Sequence, residues 1–307
     1  MGARFTGWGI ALAEKVVTND ELSKTLPTTD EWIRERTGIR ERRIGGTVTD
    51  LGARAGRAAI DDAGLDASDI DFLILATSAA DRISPATSSM VAHQIGLRCP
   101  AMDINAACSG FMYAVRTAQG LLETGNKRVL VVGAEVLSRF VDWNDRTMAV
   151  LLADGGGAAV LEYDPTENDI LSFSLGTDGA TSELLVCEHE GYFWMNGAEV
   201  FRNAVRVVVD SAEKALTMAG VSADDLSLVI PHQANIRIIQ AACQRLNIDM
   251  DRAVISLDRY GNTSSASIPL AFDDARQNDR VHKGDYALLT GFGAGMTWAS
   301  AVVKWSK

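Results

Sequence analysis

The chain has few cysteines, few prolines and no excess of positive charge. Its 307 residues include six prolines and four cysteines, Cys99, Cys108, Cys187 and Cys243. No CxxC pair or metal-ligand spacing occurs among these cysteines, so neither a disulfide framework nor a zinc site is indicated, and a reducing compartment fits best. The formal net charge of -11 argues against a general nucleic-acid binder, because neutralising phosphates requires an excess of Lys and Arg.

Long uncharged runs are also absent from the sequence. No such run reaches the roughly 18 residues that a membrane-spanning helix needs, and no basic-then-apolar segment precedes a small-residue cleavage site. We therefore expect a soluble, cytoplasmic protein that has no membrane partner. The composition, 47% hydrophobic and 22% charged, is typical of a globular chain that forms one large α/β domain or two smaller lobes.

One basic segment lies in this acidic chain. Residues 32–43 carry five arginines against Glu35 and Glu41. The segment is either a solvated, partly self-paired face or a docking site for phosphates or an acidic protein.

An internal repeat organises the chain. Residues 63–74 recur as residues 219–230, and each copy follows an amphipathic helix and ends in a short apolar strand. A second pair of apolar strands, residues 129–133 and 287–291, keeps nearly the same spacing and ends in glycine both times. Apolar strands separated by helices predict mostly parallel sheets that are covered on both faces.

The repeat predicts two similar α/β halves. We place them at residues 1–165 and 166–307, divided in the polar stretch 162–169. Duplicated halves usually pack against each other, so we expect the chemistry to lie at their seam.

Cys108 is the first candidate site residue. It follows the predicted strand 101–104 and opens a predicted helix, residues 108–124. The positive end of a helix dipole favours a thiolate over a thiol, which is how a nucleophilic cysteine is made. A cysteine in an alanine-rich run is more often a buried core residue, so the pattern alone leaves both interpretations open.

His232 is the second candidate. It follows the strand 228–231 and precedes the helix 236–246, and it is one of only four histidines. A lone histidine at such a place is more often a structural hydrogen-bonder.

Asn262 is the third candidate. It lies between a predicted strand, residues 253–257, and a predicted helix, residues 265–275, within two residues of the position that the repeat makes equivalent to Cys108. A turn that caps a helix would explain it fully. However, symmetric halves would bring both loops to one cleft, since open parallel sheets bind ligands beyond the carboxyl ends of their strands.

A glycine-rich run, residues 291–296, closes the last long apolar strand. It lacks the context of a P-loop or a dinucleotide fold. Its expected use is a close backbone approach that aims an amide N–H at a developing oxyanion.

Four segments taken together, residues 107–111, 231–235, 261–267 and 291–300, resemble the β-ketoacyl-ACP synthase III family over nearly the whole chain. The resemblance implies a thiolase-type α/β fold, with two duplicated mixed halves in an α-β-α-β-α layered arrangement. It also implies a homodimeric acyltransferase that carries an acyl-CoA primer on Cys108. Decarboxylative Claisen condensation with malonyl-ACP then gives 3-oxoacyl-ACP, as in the initiation of fatty acid or related polyketide synthesis, with no metal and no cofactor beyond the CoA thioester substrate.

The resemblance assigns a role to each matching residue. Cys108, His232 and Asn262 match the catalytic triad, and the backbone amides of Cys108 and Ala294 match the oxyanion hole. Arg237 matches the arginine that docks acyl carrier protein. The residues that match CoA and pantetheine contacts are Trp32, Arg36, Thr37, Arg146, Phe201 and Asn235.

Two departures from the family leave the primer open. Residues 81–87 contain no aromatic where the family often has one that narrows the acyl pocket, and residues 182–194 are shorter than expected of a housekeeping member. A branched, aromatic or longer primer therefore remains an alternative to acetyl.

Three other functions are compatible with parts of the pattern. A natural-product acyltransferase of the same fold would transfer the acyl group to an alcohol or amine without decarboxylation, although Asn262 counts against it. A papain-like protease has the same residue order but different surroundings of its cysteine. A non-enzymatic scaffold normally loses the triad that this chain retains.

Overall fold

The computed structural model describes residues 2–307, and its two main sheets carry most of the strands. The strands are β1 (Gly2–Leu12), β2 (Lys15–Thr18), β3 (Glu41–Ile44), β4 (Phe72–Ala76), β5 (Ala101–Ile104), β6 (Arg128–Val136), β7 (Asp154–Asp164), β8 (Ile170–Thr177), β9 (Leu185–Val186), β10 (Trp194–Met195), β11 (Leu226–Pro231), β12 (Tyr286–Gly293) and β13 (Thr297–Lys304). The helices are α1 (Asn19–Leu22), α2 (Asp30–Thr37), α3 (Val48–Asp62), α4 (Thr87–Ile95), α5 (Gly110–Glu123), α6 (Arg146–Ala149), α7 (Gly197–Ala219), α8 (Ile236–Leu246), α9 (Leu257–Tyr260) and α10 (Ser267–Gln277).

Both main sheets mix parallel and antiparallel strands. The first has the order β1-β7-β6-β4-β5, with β4 parallel to β5 and β6 and with β7 antiparallel to β1 and β6. The second has the order β11-β12-β13-β8, in which only β11 and β12 run parallel. The expectation of mostly parallel sheets is therefore wrong. Strands that are apolar on both faces show that both faces are covered, not which way the neighbouring strand runs.

Three hydrophobic clusters separate the layers. Helix α3 covers the outer face of the first sheet, α5 and α10 lie between the two sheets, and α7 and α8 cover the outer face of the second sheet. Each face of each sheet thus buries its apolar side chains against helices, which confirms the predicted α-β-α-β-α layers. No helix among residues 2–307 is long and apolar enough to cross a membrane.

The internal repeat is visible in the backbone. Helices α3 and α7 are both followed by a left-handed glycine, Gly64 (φ 70°) and Gly220 (φ 66°), and then by a short 3-10 turn. Helix α8 has its predicted bounds, whereas the predicted strand 253–257 is wrong. Only Ala253 forms a bridge, to Val229, because the chain turns immediately into α9.

Two equivalent 3-10 turns meet where the halves face each other. The turn 107–109, before α5, packs on β12 of the second sheet, while the turn 264–266, before α10, packs on β6 of the first sheet. Both turns contain a left-handed residue that is not glycine, Ala107 (φ 47°) and Ser264 (φ 49°). The strands of the first sheet lie within residues 2–164 and those of the second within residues 170–304. The domain boundary at 165/166 stays a prediction.

Candidate active site

Cys108 lies in the turn 107–109, where two cavities meet. The first cavity has a volume of about 540 Å³, and Cys108, His232 and Asn262 all line it. The second, of about 410 Å³, is lined by Cys108, Asn262 and Ala294 together with mostly apolar side chains. The structure thus brings the three candidate residues to one place, although they are far apart in the chain.

The backbone around Cys108 is held by hydroxyl groups and by a close glycine. Ser109 Oγ donates to Thr297 Oγ1, and Thr297 Oγ1 donates to the carbonyl of Ala106, both at 2.8 Å. A Cβ placed on Gly293 would lie 2.6 Å from the Cys108 nitrogen, so only glycine allows the end of β12 to approach this turn. The glycine-rich run therefore makes the close backbone approach that the sequence predicted.

The prediction that the helix end lowers the pKa of Cys108 is wrong. Helix α5 begins only at Gly110, and burial raises the pKa of Cys108 to about 12. A hydrogen bond with Ser264 lowers that pKa, and the negative charge of Glu135 raises it further, but both effects are smaller than desolvation. The thiol is therefore the resting form of Cys108.

His232 is buried directly after β11, and hydrogen bonds fix its ring. Its backbone N–H donates to the carbonyl of Thr290 at 2.7 Å, and Nδ1 lies 2.6 Å from Ser267 Oγ. This leaves Nε2 for a ligand in the cavity that His232 lines. Burial lowers the pKa of His232 to about 3, so the imidazole is neutral at physiological pH.

Asn262 is pinned between the halves. Its backbone N–H donates to the carbonyl of Leu151 and its carbonyl accepts from Ala153 N, both at 2.9 Å. Its side-chain Oδ1 accepts from Ser264 N at 2.9 Å. With the oxygen engaged in this way, the side-chain NH₂ group remains as a donor for a ligand in either cavity.

Of the residues predicted to contact CoA, Arg36, Phe201 and Asn235 line the first cavity, and Trp32 and Arg146 lie beside Arg36. Arg146 and Arg36 both lie over the Trp32 ring, with guanidinium carbons 4.7 and 5.7 Å from its centroid, and Arg36 lines the cavity. Such cation–π contacts hold the arginines together in spite of their like charge. Thr37 does not reach the cavity. Its buried hydroxyl donates to the carbonyl of Ile33 and accepts from Ile39 N, which ends helix α2.

Arg237, Asn235 and Phe201 also line the first cavity. Arg237 is exposed and lies 5.9 Å from the Phe201 ring centroid. The Asn235 side-chain oxygen accepts from Arg237 N at 2.9 Å, which caps helix α8 and fixes the Arg237 backbone at the cavity.

Sequence reasoning missed Glu135, which is fully buried at the end of β6. Its carboxylate accepts hydrogen bonds from Ser264 and Ser265, the turn that follows Asn262. The signal was present in the sequence, since residues 129–136 are apolar apart from this one glutamate. A charged side chain inside a fully buried strand needs partners that are equally buried.

The chain is similar to known proteins over its whole length. Residues 102–179 match the family model of 3-oxoacyl-[acyl-carrier-protein (ACP)] synthase III, and residues 216–305 match the model of its C-terminal part. A relative from Roseiflexus castenholzii named beta-ketoacyl-[acyl-carrier-protein] synthase III is 48% identical over 99% of this chain and 98% of its own. One of the same name from Bacillus cereus, numbered 1, is 44% identical over the full length of both chains.

Solved structures agree with the sequence relatives. The crystal structure of 3-oxoacyl-[acyl-carrier-protein] synthase III from Aquifex aeolicus superposes with a TM-score of 0.97, at 41% identity, over 99% of this chain and 100% of that one. The layered architecture is thus the thiolase-type fold. On this likeness in sequence and structure, the chain belongs to the 3-oxoacyl-[acyl-carrier-protein] synthase III family of condensing acyltransferases.

Proposed function

We propose that this enzyme condenses an acyl-CoA primer with malonyl-ACP to give 3-oxoacyl-ACP and carbon dioxide. The convergence of Cys108, His232 and Asn262 on one cavity carries the proposal. Each residue type suits a different step: a thiol forms a thioester, and an imidazole and a carboxamide donate hydrogen bonds to an enolate.

The first half-reaction loads the enzyme. The sulfur of Cys108 attacks the acyl-CoA carbonyl, and the backbone amides of Cys108 and Ala294 hold the resulting oxyanion. The close approach of Gly293 to the Cys108 nitrogen supports this pairing, because Ala294 follows Gly293 directly. CoA then leaves, and the acyl group remains on Cys108 as a thioester.

The second half-reaction makes the carbon–carbon bond. His232 Nε2 and Asn262 Nδ2 donate hydrogen bonds to the malonyl thioester carbonyl, so the charge that develops as carbon dioxide leaves is stabilised. Nε2 carries the required proton when Nδ1 accepts from Ser267 Oγ. The enolate attacks the acyl-enzyme, releasing the 3-oxoacyl product and Cys108.

The two cavities are suited to different parts of the acyl-CoA substrate. The arginine-rich first cavity is suited to CoA, with Trp32 and Arg146 placed to take a planar base and Arg36 to meet phosphate. The second cavity is suited to the primer chain, because apolar side chains line most of it. Arg237 at the mouth is suited to an acidic carrier protein, as the family resemblance implies.

The proposal extends to a cytoplasmic homodimer. Ile83, in the loop where the family resemblance predicts a contribution to the partner's acyl pocket, is 95% exposed in the single chain. An isoleucine this exposed is suited to burial against a second copy of the chain. The cytoplasm is where acyl-CoA thioesters and reduced cysteines occur together.

Product analysis separates this function from its alternative. The enzyme is incubated with an acyl-CoA and malonyl-ACP, and the carrier is then weighed by mass spectrometry. We expect a 3-oxoacyl carrier and released carbon dioxide. An ester or amide of an added alcohol or amine, formed with the malonyl group intact, would show the simple acyltransferase instead.

A further inference from the structure

Glu135 accepts an unusual number of hydrogen bonds for a carboxylate without a positive partner. Thr77 Oγ1, Ser78 N and Ser78 Oγ donate to it from one side at 3.0 to 3.1 Å. Ser264 Oγ and Ser265 Oγ donate to Oε1 from the other half at 3.0 and 2.9 Å. None of the salt bridges among residues 2–307 involves Glu135. Ser78 N is an obligate donor, and each of the four hydroxyls is able to donate, so the site is suited to holding Glu135 as a carboxylate.

Ser264 connects this carboxylate to the nucleophile. Its hydroxyl donates to Glu135 Oε1, and the turn 264–266 packs directly against the turn 107–109 that holds Cys108. Ser264 lines the cavity that contains Cys108, whereas Thr77 does not. Cys108, Ser264 and Glu135 therefore form a continuous line from the cavity to a buried carboxylate.

His232 is a poor acceptor for the Cys108 proton. Transfer to it would create a thiolate and an imidazolium from two neutral groups in a buried site, and no carboxylate bonds to His232. Transfer to Glu135 instead moves one negative charge from the carboxylate to the sulfur and creates no new charge. Burial also raises the pKa of Glu135, which makes it a stronger base.

We propose that Glu135 takes the Cys108 proton through the Ser264 hydroxyl when the sulfur attacks the acyl thioester. Glu135 thus acts as a positioning and proton-holding residue that works through Ser264. The identity of the thioester rests on the proposed function, but the proton transfer itself does not.

The protons balance over the cycle. The Cys108 proton moves to Ser264 Oγ while the Ser264 proton moves to Glu135, so the hydrogen bonds reverse along the same line. The Cys108 sulfur–acyl bond forms, the acyl–CoA sulfur bond breaks, and the departing thiolate takes a proton from solvent. When the enolate displaces Cys108 as a thiolate, the proton held by Glu135 returns to it through Ser264.

Alkylation of Cys108 by iodoacetamide tests the transfer without any thioester. Only the thiolate reacts, and peptide mass spectrometry separates Cys108 from the other three cysteines. If Cys108 and Glu135 share one proton, the thiolate fraction depends on how that proton divides between the two side chains and not on the proton concentration in solution. We therefore expect the wild-type alkylation rate to change little between about pH 6 and 8. Among the described residues, the turns 107–109 and 264–266 that pack near Glu135 contain one titratable side chain, Cys108. His232, across the cavity, stays neutral in this pH range and therefore does not shape the profile.

The Glu135→Gln variant gives opposite results for the two possible roles. With the proton acceptor removed, we expect the alkylation rate to rise about tenfold per pH unit and to fall well below wild type near pH 6. If Glu135 acted only as a nearby negative charge, its removal would lower the pKa of Cys108, and the variant would be faster than wild type with the same steep slope. That result, or a steep slope in the wild type, overturns the proposal.

Ser264→Ala and Thr77→Val form a matched pair that decides the question even if Glu135→Gln does not fold. Each removes one hydrogen bond to Glu135, but of the two residues only Ser264 lines the cavity that contains Cys108. We expect a steep pH profile for Ser264→Ala and a flat one for Thr77→Val; equal profiles overturn the proposal. A wild type that alkylates in this way but forms no adduct with acyl-CoA would contradict the proposed function alone.

Discussion

At the scale of single residues, Cys108 and His232 are both neutral at rest because the protein around them desolvates their side chains, although Cys108 keeps some exposure at the cavities. Desolvation raises the pKa of Cys108 to about 12 and lowers that of His232 to about 3. A neutral imidazole can donate from Nε2 while Nδ1 accepts from Ser267, which is the form that stabilises an enolate. The decarboxylation step therefore needs no charged group from His232.

The lowered pKa of His232 predicts how decarboxylation depends on pH. In a Cys108→Ala variant, which cannot be acylated, the rate of carbon dioxide release from malonyl-ACP reports on His232 and Asn262. Because the neutral imidazole persists down to low pH, we expect no loss of rate as the pH falls from about 8 to 6, through the ordinary histidine pKa of about 6.5. His232→Ala in the same background should be inactive. A decline with a midpoint near 6.5 would contradict the account.

The sequence predicted which residues meet but not their charge. Cys108 and His232 each follow a strand, Asn262 lies at the position that the repeat makes nearly equivalent to Cys108, and the family motifs contain all three. The protonation states of Cys108 and His232 depend on how strongly the opposite half desolvates them, and the local sequence does not show this. Glu135 stands out as the one charged residue of an apolar strand, but two of its serine partners, Ser264 and Ser265, come from a segment about 130 residues away, which the local sequence does not show.

At the scale of elements, the turn 107–109 depends on the strand that approaches it. The end of β12 comes so close that a Cβ on Gly293 would lie 2.6 Å from Cys108 N and 2.9 Å from the Ala107 Cβ. Ala107 already adopts a left-handed conformation, so the turn has little freedom to move away. The position of the nucleophile is thus set jointly by both halves.

Gly293→Ala should therefore reduce the rate of acylation by more than any loss of folded protein accounts for. We expect acyl-enzyme formation to fall at least about tenfold, because small displacements of a reacting group are costly. Gly120→Ala in α5 is the control, since nothing lies within 4 Å of its added Cβ. That variant should keep full activity and gain about 0.5–1 kcal/mol of helix stability, measured by denaturant unfolding. Equal activity of the two variants would argue against this packing.

Element boundaries show what the pattern of apolar residues can predict. Helix α8 has its predicted bounds because its apolar positions repeat clearly, whereas α5 begins two residues late, after a 3-10 turn. The mixed direction of the strands was not predictable, because it follows from connections such as the short turn between β12 and β13.

At the scale of the whole molecule, an acidic chain carries a basic cavity mouth. The net charge is -11, yet Arg36, Arg202 and Arg237 line the first cavity. This contrast orients anionic ligands towards the mouth while the rest of the surface repels them. The phosphates of CoA and an acidic carrier protein are both negatively charged, so the basic cavity mouth is suited to both.

The charge distribution predicts that carrier binding depends on salt. Raising the ionic strength should increase the KM for malonyl-ACP and change kcat little, because screening weakens exposed charges over roughly 10 Å. Arg237→Ala should raise that KM several-fold. Arg245→Ala, on the last turn of the same helix and outside the cavity lining, is the matched control and should resemble wild type. An identical KM for both variants would exclude Arg237 from docking.

The central claim is that Cys108 carries the acyl group, and intact-protein mass spectrometry tests it most directly. The enzyme and its Cys108→Ala variant are each incubated with a panel of acyl-CoA esters and then with malonyl-ACP. We predict a single acyl adduct on the wild type alone, lost when malonyl-ACP is added, whose mass identifies the preferred primer. No adduct with any ester, or the same adduct on Cys108→Ala, would contradict the account.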